Sequence, residues 1–409
     1  MLERKLAHIE KIEWIKPIEG ADNIELIGIL GWVCISKIGE FKVGDTCVYF
    51  EIDSKLPEAE WSEFMRSKHF QVKTMKLGKF KVISQGLALP LSAFEWWEPL
   101  DESGANDFLN NSLRTKLEQL SIGDDCTELL GVKYSVKEDN IRKAKNTDPN
   151  AKYNSMAARH PKLFKTKLVR WLMKRLWGKK LLFLFFGKKK DKPLGFPTQF
   201  EFVHKTDEER VENMPWVLQN KNPLTVSEKL DGTSSTYILE RKKHNKFEFY
   251  VLSRNVRQRT PDQKCYHDEN IYWEMALKYN IEQHLKDYLN EHKDINYVCI
   301  QGESVGNVQG NPLKLKENQL FVFNFINSKE GRIDSEIAKP IIESWGMQWV
   351  PILDTNYIIP DTMEEFKQYA TAKSVVNPNV YREGVVLRDY KTGLSFKNVS
   401  REYLLKHNG

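Results

Sequence analysis

The sequence predicts an α+β protein in two parts, a small N-terminal β-barrel followed by a larger domain of helices and largely antiparallel sheet. Three observations predict it. The chain is 409 residues long, more than one ordinary hydrophobic core covers. Residues 7–90 read as short β-type runs cut by glycine and proline, with one helical interruption. From residue 200 onward the runs lengthen and alternate with helical spacing. The parts fall at 1–135 and 196–409, with 136–195 as linker and insertion between them.

Taking the elements in order, residues 7–15, 32–36 and 46–52 carry β-branched and aromatic side chains, and Pro17, Gly20, Gly31, Gly39 and Gly44 separate them. A helix is expected at 58–68, then strands at 79–84 and 87–91, a helix at 107–120 and a last strand at 127–132. About five strands with one inserted helix suit an OB-type barrel, and strand counting suits an SH3-type barrel equally. Residues 138–158 are polar and broken by Asp148-Pro149-Asn150, which marks a linker. In the second part, strands are expected at 224–228, 235–240, 247–254, 297–303, 319–326, 348–352, 383–389 and 393–397, and helices at 268–291, 336–344, 363–372 and 401–407. No stretch matches G-x-x-x-x-G-K-[ST], so any phosphate must be held by side chains at strand ends.

Composition narrows the class. A hydrophobic fraction of 41% with 29% charged residues describes a soluble globular protein. The five cysteines are widely spaced, with no C-x-x-C pair, so neither a zinc site nor a disulfide framework is indicated, and an intracellular, reducing compartment is expected. The first residues lack the apolar core of a secretory signal. The net charge of +6 is uneven, because residues 159–192 hold thirteen Lys or Arg against one acid, Asp191. That segment interleaves its charges with Leu, Phe and Trp. It has too many charges for a membrane span, and three readings stay open for it: a helix packed on its own protein, a phosphate-binding extension for RNA, or an amphipathic helix at a membrane surface.

The chemistry gathers around Glu228-Lys229-Leu230-Asp231-Gly232. A lysine there is flanked by carboxylates, and Gly232 lets the chain turn sharply. Downstream stand Ser253-Arg254-Asn255, Gln301-Gly302-Glu303, Phe321-Val322-Phe323-Asn324-Phe325, Glu383-Gly384-Val385-Val386-Leu387-Arg388 and Ser395-Phe396-Lys397. Singly, each block has a plainer reading: a solvated lysine, an exposed carboxylate, a core phenylalanine, a hairpin. Together and in this order they resemble motifs I, Ia, III, IIIa, IV and V of the covalent nucleotidyltransferases, the polynucleotide ligases and capping enzymes. Lys205-Thr206-Asp207-Glu208-Glu209-Arg210-Val211 and the run from Gln301 to Gly310 are similar to RNA ligases in particular. The blocks Gly20-Ala21-Asp22, Gly44-Asp45, Phe50-Glu51-Ile52-Asp53 and Ser84-Gln85-Gly86-Leu87 resemble the OB domain that precedes the adenylyltransferase domain in RNA ligases of the Naegleria and Deinococcus type. Two positions depart from the pattern: Asn324 stands where the family usually has an acid, and Ser395 where many ligases have a lysine.

The resemblance implies an ATP-dependent RNA ligase with Lys229, Asp231, Arg254, Glu303, Glu383 and Lys397 as its catalytic set. Lys229 would attack the α-phosphate of ATP, release pyrophosphate and carry AMP to an RNA 5′-phosphate, after which a 3′-OH attacks and AMP leaves. A free lysine keeps its proton to about pH 10.4, so nearby positive charge from Arg254, Lys397 and a metal ion is expected to lower that value. Asp231, Glu303 and Glu383 would hold hydrated Mg²⁺ or Mn²⁺. Lys205, Glu228, Gly232 and Phe323 complete the nucleotide site, with Phe323 stacked on adenine and Glu228 accepting from its amino group. The expected partner is RNA with 5′-phosphate and 3′-OH ends, at nicks in duplex RNA or an RNA–DNA hybrid, and a monomer is expected. The barrel is expected to clamp the duplex and leave chemistry to the second domain, so that its removal spares AMP transfer. The alternatives are a capping-type guanylyltransferase and a nucleic-acid-binding protein with a degenerate site.

Overall fold

The computed structural model describes residues 4–94, 113–135, 194–263 and 270–407, with isolated positions between 166 and 182. Met1–Lys133 and Leu194–Gly409 form one compact unit, and Tyr134–Pro193 forms another. Apart from those isolated positions, the basic segment 159–192 lies outside the described residues, as do residues 107–112 of the expected helix. No described helix is long and apolar enough to cross a membrane.

In the barrel, Ala7–Lys11 pairs antiparallel with Thr46–Phe50, which pairs in turn with Leu87–Pro90. Strand alternation sends Ala7, Ile9, Val48 and Phe50 into one core with Trp61 and Phe94, and Cys47 and Tyr49 into another with Ile27 and Trp32. The helix expected at 58–68 is a 3-10 helix, Glu60–Lys68, and its Trp61 stacks on Phe50 with ring centroids 5.6 Å apart. A second sheet runs Trp14–Pro17, Ile24–Ile29, Trp32–Lys37. Its middle strand was not expected, because Ile-Glu-Leu-Ile-Gly-Ile lacks strict alternation and its glycine reads as a breaker.

The strand expected at 127–132 is instead a helical turn. Leu130 N donates to Cys126 O at 3.0 Å and Val132 N to Thr127 O at 2.9 Å. The Thr127 hydroxyl accepts the Leu6 and Ala7 amides at 2.9 and 3.0 Å, so residues 127–132 dock onto the first strand through that side chain, while backbone pairing with the strand ends at Cys126 N, which donates to Ala7 O at 2.9 Å.

The second domain has two sheets. The five-stranded sheet runs in the order Glu209–Arg210, Ser395–Val399, Gly384–Arg388, Leu224–Lys229, Ile352–Tyr357. The larger sheet is centred on Phe247–Ser253, Thr233–Arg241, Tyr297–Val305 and Gln319–Asn327. Among the described residues of this domain, pairing is antiparallel except where Glu209–Arg210 meets Ser395–Val399 and where Gln348–Trp349 meets Gln319–Asn327. Two helices, Ile271–Lys278 and Ile281–Glu291, help build the core of the larger sheet. The first starts where the Asn270 side chain accepts the Tyr272 and Trp273 amides, and the second buries Ile281, Leu285 and Leu289 at i, i+4, i+8 spacing.

The barrel and the second domain share a core: Val399 and Leu404 pack with Ile12, Ile27, Trp32 and Tyr49. Polar contacts reinforce the joint. Gly31 N donates to Glu212 O at 2.7 Å, Trp32 Nε1 to Asn213 Oδ1 at 2.6 Å, and Arg210 lies 3.3 Å from Asp53. Beside it, His8 is buried between Glu10 at 2.7 Å and Glu51 at 3.7 Å, and Arg4 pairs with Glu51 at 2.6 Å. Burial works against a charged His8, but Glu10 and Glu51 outweigh it and raise its pKa to about 9. Burial likewise opposes ionisation of Glu51, yet His8, Arg4 and Arg210 hold its pKa at about 2. The barrel and the second domain are thus joined through a common core. Removing the barrel would expose Val399 and Leu404, one of them on the strand that carries Lys397.

Candidate active site

The two sheets of the second domain meet at residues 230–232, where the chain leaves Leu224–Lys229 in one sheet and enters Thr233–Arg241 in the other. Antiparallel register sets Lys229 opposite Gly384, next to Glu383, and sets Ser234 opposite Glu303. Glycines permit this closeness. A Cβ on Gly232 would lie 2.4 Å from Ser304 O, and one on Gly384 2.3 Å from Asn398 O, both impossible contacts. Blocks far apart in sequence thus converge on one amine.

Lys229 Nζ donates to Glu383 Oε2 at 2.7 Å, with side-chain exposures of 27% and 17%. Burial alone would lower the lysine pKa, but Glu383, Glu303 and Asp231 outweigh it and hold the value above the ordinary range. This corrects the expectation that Arg254 and Lys397 depress it. Those cations are engaged elsewhere: Asp207 accepts from Arg254 Nη2 at 2.5 Å and from Lys397 Nζ at 2.8 Å. Burial opposes a charged Asp207, and the two cations override it and hold its pKa at about 2. The Glu303 carboxyl goes the other way, to about 8, driven by burial and by Glu383 and Asp231 against the opposing Lys229 charge. Burial, the largest influence, and Asp231 also raise Glu383.

The remaining predicted residues are placed as follows. Asp231 accepts the Tyr403 hydroxyl through Oδ2. Glu228 is buried, accepts the Val375 amide at 2.8 Å through Oε2, and leaves Oε1 without a partner. Phe323 sits at a bulge, since Gln301 pairs with Asn324 and Gly302 with Val322, and a bulge re-aims its side chain. The Arg388 guanidinium bonds Phe323 O at 2.8 Å and lies 5.8 Å from its ring. Asn324 is buried and donates to Gln301 Oε1 at 2.8 Å, a packing role that an acid would not fill in the same way. Ser395 Oγ accepts from Arg388 Nε at 3.3 Å. Lys205 is exposed, two residues ahead of Asp207, and no described contact ties it to the Lys229 cluster.

Sequence reasoning missed two residues. Asp207 lies inside the noted block from Lys205 to Val211, and its place in that block was the one usable signal. Tyr403 carries none, because a tyrosine on a C-terminal helix reads as packing.

Among the described residues no three His, Cys, Asp or Glu side chains converge as a ready metal shell. The donor set still fits a hydrated hard ion. The carboxylates of Asp231, Glu303 and Glu383 crowd one lysine, and their mutual repulsion contributes to the rise of Glu303.

Barrel, two-sheet domain and lysine seam together define a nucleotidyltransferase-type domain behind an OB barrel. An OB-fold family profile matches residues 6–91, and the RNA ligase profile matches residues 222–405. Solved structures of Naegleria gruberi RNA ligase match in the same arrangement. A lysine-to-alanine variant with ATP and Mn is 28% identical, covers 99% of this chain and 99% of its own, and has a TM-score of 0.70. The enzyme with pyrophosphate and a glutamate-to-alanine variant with AMP and Mn give the same 28% identity, 99% coverage of both chains and TM-score of 0.70. No curated protein sequence matches the chain. The chain thus carries an OB-fold domain match at residues 6–91 ahead of an RNA ligase domain match at residues 222–405, and is similar over its length to Naegleria gruberi RNA ligase.

Proposed function

We propose that the chain seals RNA 3′-OH and 5′-phosphate ends with ATP, through AMP carried on Lys229. The observation that supports this reading most is the 2.7 Å contact between the Lys229 amine and Glu383 inside a wall of carboxylates, a few residues from two cations held ready by Asp207. Spacing adds to it. Naegleria gruberi RNA ligase has been solved with alanine in place of a lysine, of an aspartate two residues later, of a glutamate, and of a lysine fourteen residues after that glutamate. Lys229 and Asp231, then Glu383 and Lys397, repeat both intervals.

Glu383 Oε2 would take the proton that the Lys229 ammonium must lose before its lone pair can bond to the α-phosphorus; pyrophosphate then departs, and the second proton on the nitrogen passes to solvent. Lys397 and Arg254 would exchange Asp207 for phosphate oxygens, where positive charge stabilises the transition state. A hydrated Mg²⁺ or Mn²⁺ held by Asp231, Glu303 and Glu383 supplies further positive charge beside the phosphate. The unpartnered Glu228 Oε1 suits an amino group, as adenine offers and guanine does not at that ring position.

Nicked duplex RNA, or RNA paired with DNA, is the substrate class we favour. The barrel segment 64–94 carries Arg66, Lys68, Lys73, Lys76, Lys79 and Lys81 with no acid, and Lys76, Lys79 and Lys81 are exposed around the hairpin of Met75–Leu77 and Val82–Ser84. Such a surface tracks a phosphate backbone. The setting is intracellular and reducing in this reading, consistent with buried free thiols at Cys34, Cys47, Cys126 and Cys299. The test is incubation with α-labelled ATP or GTP, a denaturing gel, and then sealing of nicked against single-stranded RNA. Label from GTP in preference to ATP, or no covalent label, overturns the reading.

A further inference from the structure

Asp231 occupies the turn that carries the chain from one sheet to the other, two residues after the lysine. Its carboxylate is bonded by Tyr403 Oη, and among the described residues no other side chain bonds it. Phenols keep their proton to about pH 10, so the tyrosine is the donor.

The helix that carries this phenol, Arg401–His407, is held from three sides. Toward the ligase sheet, Ser400 N donates to Glu383 O at 2.9 Å, and Ser400 Oγ accepts the Tyr403 amide at 3.3 Å. Toward the barrel, Arg401 Nε donates to Gln85 Oε1 at 3.1 Å, and Leu404 packs into the barrel core. Toward the flank, Arg401 Nη1 donates to Glu364 Oε2 at 2.6 Å. The Tyr403 ring stacks on His407 with centroids 4.2 Å apart. Gln85 is itself fixed, its carbonyl accepting the Tyr49 hydroxyl at 3.0 Å and its amide bonding Val33 O at 2.8 Å. A continuous set of contacts therefore runs from the barrel interior through Gln85, Arg401 and Tyr403 to Asp231, beside the reactive amine.

We infer that Tyr403 is a positioning residue for AMP transfer to Lys229: it fixes the Asp231 carboxylate at the seam, and through its helix the OB barrel becomes part of the support of the active lysine. The inference rests on Lys229 being the nucleophile. Its physical basis is that a carboxylate on a short turn between sheets has rotamer freedom that only an external bond removes. With Oδ2 held by the phenol, Oδ1 is left in one direction to face cation or water. A displacement of about 1 Å in such a group costs on the order of a hundred-fold in rate, so a single hydroxyl at this distance from the chemistry matters. If Tyr403 only filled space, phenylalanine would serve as well.

The experiment uses the full chain and single-turnover transfer from α-labelled ATP, with thermal melting of every variant. Tyr403→Phe is expected to slow transfer about ten-fold at saturating ATP, with KM for ATP within two-fold of wild type. In an Asp231→Ala background the same change is expected to have no further effect, since the acceptor of the bond is gone. Without nucleotide, amide exchange across residues 230–232 is expected to rise in Tyr403→Phe. Gln85→Ala, on the barrel side, is expected to slow transfer about three-fold and to add nothing to Tyr403→Phe. If Tyr403→Phe melts early, Gln85→Ala and the exchange measurement on it carry the test. Wild-type transfer in Tyr403→Phe, or an equal loss in the Asp231→Ala background, overturns the positioning role while leaving the lysine assignment intact. An unlabelled wild-type protein removes both.

Discussion

The two ends of the seam are charged in opposite ways. At one end a single cation, Lys229, faces Glu383, Glu303 and Asp231; at the other a single anion, Asp207, is shared by Arg254 and Lys397. The first end has surplus negative charge, and a carboxyl responds by moving up to about 8. The second has surplus positive charge, and its carboxyl is held down at about 2. A metal-bound triphosphate has both missing parts, a divalent cation for the first end and phosphate oxygens for the second. In the proposed function, the pairing accounts for a lysine held protonated without ligand and activated once the substrate binds.

Breaking the first end should have the largest effect. Lys229→Ala is expected to cut covalent AMP labelling by at least about a thousand-fold, read on a denaturing gel, while sealing of RNA already carrying a 5′-adenylate persists weakly. Breaking the second end comes next. Lys397→Ala is expected to slow labelling about a hundred-fold, as loss of one transition-state cation does, and full-rate labelling would remove Lys397 from the phosphate site.

A buried charge cluster outside the site sharpens the comparison, because His8 and Arg4 together balance Glu10 and Glu51 and have no substrate to await. Its pKa is raised from 6.5 to about 9, so its contribution to stability is complete below pH 6.5 and is lost as pH rises through 9. Thermal or urea unfolding should report a loss of about 1–3 kcal/mol across that window, and His8→Gln should flatten the slope. Glu51, held at about 2, acts at the other limit, and its contribution disappears as pH falls from 4.5 through 2. The smallest effect is expected from Asp207→Asn. Freeing both cations should tighten inhibition by pyrophosphate a few-fold, measured on AMP labelling, and weaker inhibition would mean that Asp207 serves to orient them.

The contrast between these regions also tells which parts of the molecule were legible in the sequence. Lys229, Glu303, Glu383 and Lys397 stood out because each sits in a short block whose glycine or alternating strand pattern is set by chemistry and close approach. The strand over 224–228 and the helix over 401–407 followed from simple periodicity. Asp207, by contrast, acts through a pairing made by the parallel contact of Glu209–Arg210 with Ser395–Val399, which no local pattern encodes. Tyr403 meets Asp231 across more of the chain than any motif spans. The strand Ile24–Ile29 and the turn at 127–132 were misread for a related reason: burial on two faces removed the alternation in one, and the Thr127 hydroxyl replaced a ladder in the other.

Val399 and Leu404 finish the barrel core, and that has a consequence for synthesis. The segment with Ile12, Ile27 and Tyr49 leaves the ribosome long before the residues that cover one side of it. The nascent barrel must carry an uncovered apolar face until Val399 and Leu404 are made, a state prone to aggregation and to capture by chaperones. A product that stops short of residue 399 would keep every motif strand up to Lys397 and still lack that cover.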